Sequence, residues 1–163
     1  MRKGIIEVGV WADFGCGHGT FSRALSELLG PSGTVIAIDR EAAKLQRVGP
    51  PPQHGAPIYT LDADFCYPLT LPPLDGFLLA NSLHFVASQQ KVLGQLVTHL
   101  KPGGLALFLE YDTERRSLWD PHPLPPAKLE RLASLAGLGM FAEVARFPSV
   151  FGSRELYLAL ARS

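Results

Sequence analysis

The sequence predicts an α/β fold in which a doubly wound, mostly parallel sheet carries helices on both faces. Three observations indicate this architecture. Short apolar runs without polar alternation recur along the chain, segments with helical periodicity separate them, and prolines and glycines cluster at the connections. Apolar strands of this kind fit a parallel sheet covered on both sides, and the alternation of strands with helices is typical of such folds.

The first strand–helix unit is the clearest. Residues 8–13 form an apolar run that ends in Asp13, and a glycine cluster follows. Five apolar residues then recur at the i, i+3, i+4, i+7, i+8 spacing of one buried helix face. They are Phe21, Ala24, Leu25, Leu28 and Leu29. Gly30 and Pro31 predict the end of this helix.

Two further strands follow before the middle of the chain. Residues 34–39 form an apolar, β-branched run that ends in Asp39, and residues 58–62 form the third strand. A weaker helical segment covers 40–48 between them. Three consecutive prolines at 50–52 predict its end, because proline cannot continue a helix.

The second half of the chain continues this alternation. The predicted strands are 76–81, 105–110, 142–147 and 155–161, the last two joined by a turn that contains Gly152, and the predicted helices are 92–100 and 129–136. Lys-Pro-Gly-Gly at 101–104 ends the first of these helices, and the prolines between 121 and 126 mark a connection.

Length and charge argue against several classes of function. The 163 residues predict one domain, 1–163. Fifteen Lys and Arg balance fifteen Asp and Glu, which argues against a primary role in binding nucleic acid. No apolar run approaches the ~20 residues of a membrane span, and residues 1–7 lack the features of a secretory signal, so we expect a cytoplasmic protein without membrane insertion. Cys16 and Cys66 lie outside any CxxC or Cys/His cluster, so neither a disulfide nor a metal site is predicted.

Glycines and acids stand where the first two strands end. Gly15, Gly17 and Gly19 follow the first strand, and such a turn lets a ligand approach backbone N–H groups. The spacing differs from a dinucleotide fingerprint, and the carboxylate of Asp13 beside the turn favours a ligand with cationic groups. Asp39, at the end of the second strand, is placed to accept hydrogen bonds from both hydroxyls of a ribose.

With these features the chain resembles the class I S-adenosylmethionine-dependent methyltransferases, and within them the small, single-domain type 11/25 group. The motifs occur in order along nearly the whole chain: D-F-G-C-G-H-G at 13–19, A-I-D-R at 37–40, L-D-A-D at 61–64, D-G-F-L-L-A-N-S-L-H-F at 75–85 and L-K-P-G-G-L-A-L-F-L-E at 100–110. The resemblance implies a Rossmann-like, seven-stranded, mostly parallel sheet with an antiparallel C-terminal strand, and S-adenosylmethionine as the cofactor.

The resemblance also implies which residues bind that cofactor. They would be Asp13, Gly15, Cys16, Gly17, Gly19, Asp39, Arg40, Asp62, Ala63, Asn81 and Ser82. Asp13 would reach the methionyl ammonium group and Asp39 the ribose. Asp62 would accept from the adenine amine, and the N–H of Ala63 would meet a ring nitrogen. The segment 81–84 would pass beside the sulfonium.

Methyl transfer is an in-line displacement that depends chiefly on holding the acceptor in position, so it needs no protein nucleophile. Some acceptors must lose a proton, and His84 is the candidate base because it follows the fourth strand. A packing role for His84 is the alternative. Tyr111 is the second candidate, in a region that continues to Trp119 and His122 and could bind an acceptor.

The expected function is methyl transfer to a small-molecule acceptor. The alternatives are a binding or regulatory protein without turnover, and a methyltransferase that acts on protein or nucleic acid. N-S-L-H at 81–84, in place of an N-P-P-Y-type motif, argues against nucleic acid. Because the first strand starts near residue 8, we expect a minimal N-terminal lid. The cofactor cleft would then be open, to be closed by the acceptor, by a second copy in a homodimer, or by the 111–126 loop.

Overall fold

A computed structural model of the chain describes residues 7–150 and 154–163. The strands are β1 Val10–Phe14, β2 Thr34–Asp39, β3 Ile58–Asp62, β4 Leu74–Ala80, β5 Leu100–Tyr111, β6 Gly139–Pro148 and β7 Glu155–Arg162. The helices are α1 Thr20–Leu29, α2 Ala42–Leu45, α3 Gln89–Val97 and α4 Pro126–Leu135, and a 3-10 turn covers Leu83–Phe85. The turn at Gly152 and the first six residues lie outside the described part of the chain.

The strands form one seven-stranded sheet in the order β3-β2-β1-β4-β5-β7-β6. The strands β1 to β5 pair in parallel, and β7 runs antiparallel to both β5 and β6. The predicted fold class, including the antiparallel C-terminal strand, is therefore confirmed. The strand order reverses its direction of winding between β1 and β4, and ligands bind at such a switch point in open α/β sheets.

Each face of the sheet has its own apolar layer. Trp11 lies flat against Gly76, where a Cβ would come within 2.5 Å of the indole ring, and it packs with residues of α1. On the opposite face Phe14, Phe77 and Phe108 form an edge-to-face row, with ring centroids 5.6 and 6.0 Å apart, beneath α3 and α4. Two covered faces explain why the central strands lack polar alternation.

Several boundaries differ from the sequence-based expectation. The predicted helix 40–48 is helical only over α2, and β5 begins at Leu100 instead of residue 105. The Pro-Gly-Gly segment stays in the sheet because Gly103 N donates to the carbonyl of Ser163, whose own N–H donates to Gly104. A register shift between Leu74 and Gly76 absorbs the irregularity. These partners come from distant parts of the chain, so local composition could not indicate them.

In the parallel part of the sheet the carboxyl ends of the strands share one edge. Phe14, Asp39, Asp62, Ala80 and Tyr111 are the last residues of β1 to β5 at that edge. The described part of the chain has no helix that is long and apolar enough to cross a membrane.

Candidate functional site

A cleft of about 460 Å³ opens at the carboxyl ends of β1, β2 and β4. Its walls come from the glycine turn after β1, the start of α2, the loop after β3 and the segment after β4. Eight of the residues predicted to bind the cofactor line it: Gly15, Cys16, Gly17, Asp39, Arg40, Ala63, Asn81 and Ser82. The fold thus brings together residues that are up to 67 positions apart, Gly15 and Ser82, at the switch point of the sheet.

The glycine turn forms a cradle whose open side faces the cleft. Gly15, Gly17 and Gly19 all have positive φ angles of 55 to 81°. A Cβ on Gly15 would lie 2.6 Å from the Cβ of Ser82, and one on Gly19 would lie 2.8 Å from Val48. A Cβ on Gly17 would meet nothing within 4 Å. Only the backbone borders the cleft at Gly17, which lets a ligand approach the main chain closely.

Asp39 stands at the wall of the cleft with its carboxylate fixed by the backbone. Its Oδ2 accepts from Gly17 N and its Oδ1 from Glu41 N, both at 2.9 Å. The side chain is largely buried but lines the cleft. A carboxylate oxygen can accept more than one hydrogen bond, so Asp39 still offers lone pairs to a pair of hydroxyl groups.

Two buried oxygens beside the cradle have no hydrogen-bond partner among the described residues. They are Oδ1 of Asp13 and Oδ1 of Asn81. The other oxygen of Asp13 accepts from Ser22 Oγ at 2.5 Å. Buried oxygens that lack a donor are costly, so this place suits a ligand that brings N–H groups.

The charge state of Asp13 reflects its burial. Desolvation raises the pKa of its carboxyl from 3.8 to about 6, with a smaller raising effect from the nearby charge of Asp39, while the hydrogen bond from Ser22 lowers it. Near neutral pH this site therefore holds a buried negative charge without a cationic partner in the described part of the chain. An ammonium group would supply both the missing charge and the missing donors.

Three predicted binding residues lie outside the lining. Asp13 is buried behind the cradle, Gly19 packs on Val48, and Asp62 is exposed. The N–H of Ala63, expected to meet an adenine nitrogen, instead donates to the carbonyl of Asp39 at 3.1 Å. Asp64 does line the cleft.

The adenine end of the predicted site is polar and open. Arg40, predicted to flank the adenine, lies 3.7 Å from Asp64 in an exposed ion pair. Other residues that line the cleft were missed by sequence reasoning. They are Thr20, Phe21, Glu41, Lys44, Phe65, Cys66, Ala80, Phe85 and Val86. Each lies within a few positions of a motif, which was the available signal.

His84 belongs to a second, buried polar cluster. Its Nδ1 lies 2.6 Å from Oε2 of Glu110, whose Oε1 accepts from Leu83 N at 3.1 Å. Both side chains are almost fully buried. Burial alone would lower the pKa of His84, but the hydrogen bond and charge of Glu110 raise it overall. The pair therefore retains a proton more strongly than an exposed histidine does.

Neither His84 nor Tyr111 is among the described residues that line the cleft. The ring of Phe85, which does line it, has its centroid 4.3 Å from that of His84, so the imidazole lies directly behind this wall. Tyr111 lies farther along the sheet edge, 6.3 Å from His84 between ring centroids, with Arg154 over its ring at 4.1 Å.

Hydrogen bonds connect the loop after β5 to the chain after β4. His122 N donates to the carbonyl of His84 at 3.0 Å, and Gln89 Nε2 donates to the carbonyl of His122 at 2.7 Å. Among the described residues, none beyond Val86 lines the cleft, so the 111–126 loop stands beside it without covering it. In the same part of the chain no three His, Cys, Asp or Glu side chains are grouped to hold a metal ion.

Comparison with known proteins places this geometry in a family. A family model described as a methyltransferase domain matches residues 12–106, more than half of the chain. A sequence search of the curated proteins gave no match.

Several solved structures share the fold at low identity. One is a SAM-dependent methyltransferase from Methanosarcina mazei, with 13% identity over 100% of this chain and 94% of that one and a TM-score of 0.75. Another is the Burkholderia thailandensis 1,6-didemethyltoxoflavin-N1-methyltransferase with bound 1,6-didemethyltoxoflavin and S-adenosylhomocysteine, with 17% identity over 94% and 70% of the two chains and a TM-score of 0.73.

A third similar structure is human N-acetylserotonin methyltransferase in complex with SAM. It shows 22% identity over 94% of this chain, which spans 47% of that one, with a TM-score of 0.71. At these identities the solved structures show that the fold is shared. The match to the family model is a match of the sequence itself. The motifs at the strand ends, the seven-stranded sheet and the matched model agree, and the chain belongs to the methyltransferase domain family.

Proposed function

We propose that this protein binds S-adenosylmethionine in the cleft at β1, β2 and β4 and transfers its methyl group to a small-molecule acceptor. The observation that carries the proposal is the pair of unpartnered buried oxygens, on Asp13 and Asn81, beside a glycine cradle. Two solved structures of this fold are named as complexes with S-adenosylmethionine or S-adenosylhomocysteine, and one of them also holds a small-molecule acceptor.

The residues present fit the parts of this cofactor. Asn81 at the cleft wall and Asp13 from behind the cradle would together hold the methionyl ammonium, because one oxygen of each lacks a donor among the described residues. Asp39 would accept from the ribose hydroxyls, and Arg40 and Asp62 would stand at the adenine end. When bound, the cofactor supplies a methyl group activated by a sulfonium. Gly17 has no side chain, and this leaves space in which the methionyl part of the cofactor can lie.

The protein's own contribution to catalysis would be alignment. Phe21, Phe85 and Val86 are apolar residues in the lining of the cleft, and they would pack against the acceptor and orient it. Holding the acceptor in line with the methyl group supplies much of the rate enhancement in such a displacement. Phe85 lines the cleft and is 53% exposed, so an acceptor would enter beside it.

A direct experiment for the proposal is calorimetric titration with S-adenosylmethionine and S-adenosylhomocysteine, followed by turnover. A metabolite extract supplied with a cofactor that carries a deuterated methyl group should yield a labelled small molecule in the mass spectrometer. Absence of binding by either ligand would refute the proposal. Binding without any labelled product from extracts, proteins or nucleic acids would instead identify a binding protein without turnover.

Asp39→Asn is expected to weaken cofactor binding by about tenfold or more, because one acceptor of the ribose hydroxyls becomes a donor. The matched comparison is Asp62→Asn, the same change at the end of the neighbouring strand, where the carboxylate is exposed. We expect a smaller loss there. Equal losses at both positions, measured by calorimetry, would show that ribose binding does not depend on Asp39 in particular.

His84 does not line the cleft, so its proposed role as a proton acceptor requires that the methyl acceptor reach it past Phe85. In His84→Gln we expect unchanged cofactor affinity, turnover lowered by about a hundredfold, and loss of the acidic limb of the pH–rate profile. The measurement uses the acceptor found by isotope labelling. Unchanged turnover and an unchanged profile would assign His84 to packing behind Phe85.

A further inference from the structure

A groove beside the proposed active site carries three cations without an acidic ion-pair partner. Arg116, Lys128 and Arg131 line it, and Glu114 is the acid among the described residues that contribute to its wall. None of the three cations lies within 4.0 Å of a carboxylate oxygen in the described part of the chain. In a chain whose net charge is zero, this is a local concentration of positive charge.

Lys128 is the fixed member of this group. Its Nζ donates to the carbonyl of Pro123 at 2.8 Å, which holds the half-buried amine at the wall of the groove. Burial lowers the pKa of Lys128, and the charges of Arg116 and Arg131 lower it further, while Asp120 acts in the opposite direction. The three cations therefore repel one another where they stand. An anion placed among them would relieve that repulsion.

Hydrogen bonds connect the segment that lines the groove to the segment that lines the cofactor cleft. The stretch that leads to Pro123 is bonded to the segment after β4 through His122, which contacts both His84 and Gln89 by hydrogen bonds. That segment carries Phe85, which lines the cleft. Phe85 at the cleft and Pro123 at the groove therefore each follow a residue of the hydrogen-bonded pair His84 and His122, which brings the two cavities close together.

We propose that the groove binds an anionic group, a phosphate or a carboxylate, carried by the small-molecule methyl acceptor. This inference rests on the proposed function and names the class of its acceptor. Guanidinium groups suit both anions because their planar donors match two oxygens at once. Three cations beside Glu114 fit one compact anionic group, whereas a nucleic-acid backbone requires a longer basic surface.

The test uses calorimetric titration of the intact protein with pyrophosphate and with citrate, at constant ionic strength, with glycerol as the neutral control. The two anions distinguish a phosphate site from a carboxylate site. The informative variant is the double substitution R116Q/R131Q, at two exposed side chains that are not placed in the cofactor site. Arg115→Gln is the matched control, because Arg115 is exposed in the same loop but does not line the groove.

We expect one of the anions to bind the wild type, about tenfold weaker binding in the double variant, and less than about twofold change in Arg115→Gln. Affinity for S-adenosylmethionine should be the same in all three proteins. The acceptor identified by isotope labelling should carry a phosphate or a carboxylate, and its KM should rise in the double variant with kcat little changed.

Four results would overturn the inference, and three of them concern anions. They are equal anion binding by the wild type and the double variant, no binding of either anion, and a labelled acceptor without an anionic group. Oligonucleotide binding that is lost in the double variant and far exceeds that of pyrophosphate would also overturn it, in favour of a nucleic-acid surface. Failure of the protein to bind S-adenosylmethionine would refute the proposed function, yet it would leave the anion titrations interpretable.

Discussion

Asp13→Asn should make the cofactor-free protein more stable at about pH 8 and at the same time weaken its binding of S-adenosylmethionine. The reason for the first effect is the raised pKa of the buried carboxyl, about 6 in the folded chain against an ordinary value of 3.8. Each unit of such a shift is worth about 1.4 kcal/mol. Ionised Asp13 thus lowers the free energy of unfolding by about 3 kcal/mol above pH 6.

The direction with pH follows from this shift. The folded state binds the proton of Asp13 more tightly than the unfolded state does. The contribution of Asp13 to the free energy of unfolding is therefore most favourable below about pH 4, and it falls as pH rises through about 6. The amide has no charge to desolvate, but its new N–H can lack a partner, at about 1–2 kcal/mol. We therefore expect a net gain of about 1–2 kcal/mol at pH 8, which turns into a net loss of about 1–2 kcal/mol near pH 4, where the carboxyl of the wild type is protonated.

The loss of affinity has the same origin. The buried negative charge that destabilises the empty protein is the partner proposed for the methionyl ammonium, so Asp13→Asn should weaken binding by at least about tenfold. In the wild type, affinity should fall as pH drops below about 6, because the carboxyl must lose its proton to pair with the cation. Chemical denaturation and calorimetry at several pH values measure the two effects.

Glu27→Gln, an exposed acid on α1, serves as the control and should change stability by less than about 0.5 kcal/mol. An unchanged dissociation constant in Asp13→Asn, or an affinity of the wild type that is flat from about pH 5 to about pH 8, would exclude Asp13 as the charge partner of the cofactor. Lower stability of Asp13→Asn at both pH extremes would show that its carboxylate is satisfied in the folded protein.

Much of the sheet could be predicted because local sequence patterns indicate its strands. Residues 34–39 and 58–62 were predicted with the observed bounds, since apolar β-branched runs flanked by glycine or proline have few alternatives. Other bounds depend on distant partners. Leu100–Gly104 joins β5 only because Leu74 and Ser163 supply backbone partners, and no local pattern encodes them.

The candidate site divides in the same way. Gly15, Gly17 and Asp39 could be placed from the sequence because strand ends and glycine turns are local features. The hydrogen bonds at the site could not be predicted, because they depend on how neighbouring strands pair. For example, the N–H of Ala63 donates to the carbonyl of Asp39 across the β2–β3 pair. The grouping of Arg116 with Lys128 and Arg131 depends on how a proline-rich loop turns back to α4. Composition alone does not fix that path.

Glu110→Ala should lower the free energy of unfolding by about 3–5 kcal/mol, the cost found when one partner of a buried ion pair is removed. Glu110 is fully buried, and its two oxygens hold the imidazole of His84 and the N–H of Leu83. Removing the carboxylate leaves both donors without a partner in the wall behind Phe85. Glu110→Gln keeps an acceptor for one of them, so we expect a smaller loss of about 1–2 kcal/mol.

The pH dependence of the free energy of unfolding distinguishes a proton-sharing pair of His84 and Glu110 from two side chains that only pack together. Because Glu110 raises the pKa of His84, the folded state binds the proton more tightly than the unfolded state. The resulting stability is fully present below about pH 6.5, the unfolded value, and is lost as pH rises through the higher folded pKa. Glu110→Gln should flatten that part of the stability curve, whereas Glu130→Ala, an exposed acid on α4, should leave it unchanged. If the free energy of unfolding changed equally with pH in the wild type and in Glu110→Gln, Glu110 and His84 would not share a proton. His84 would then not be expected to act as a proton acceptor.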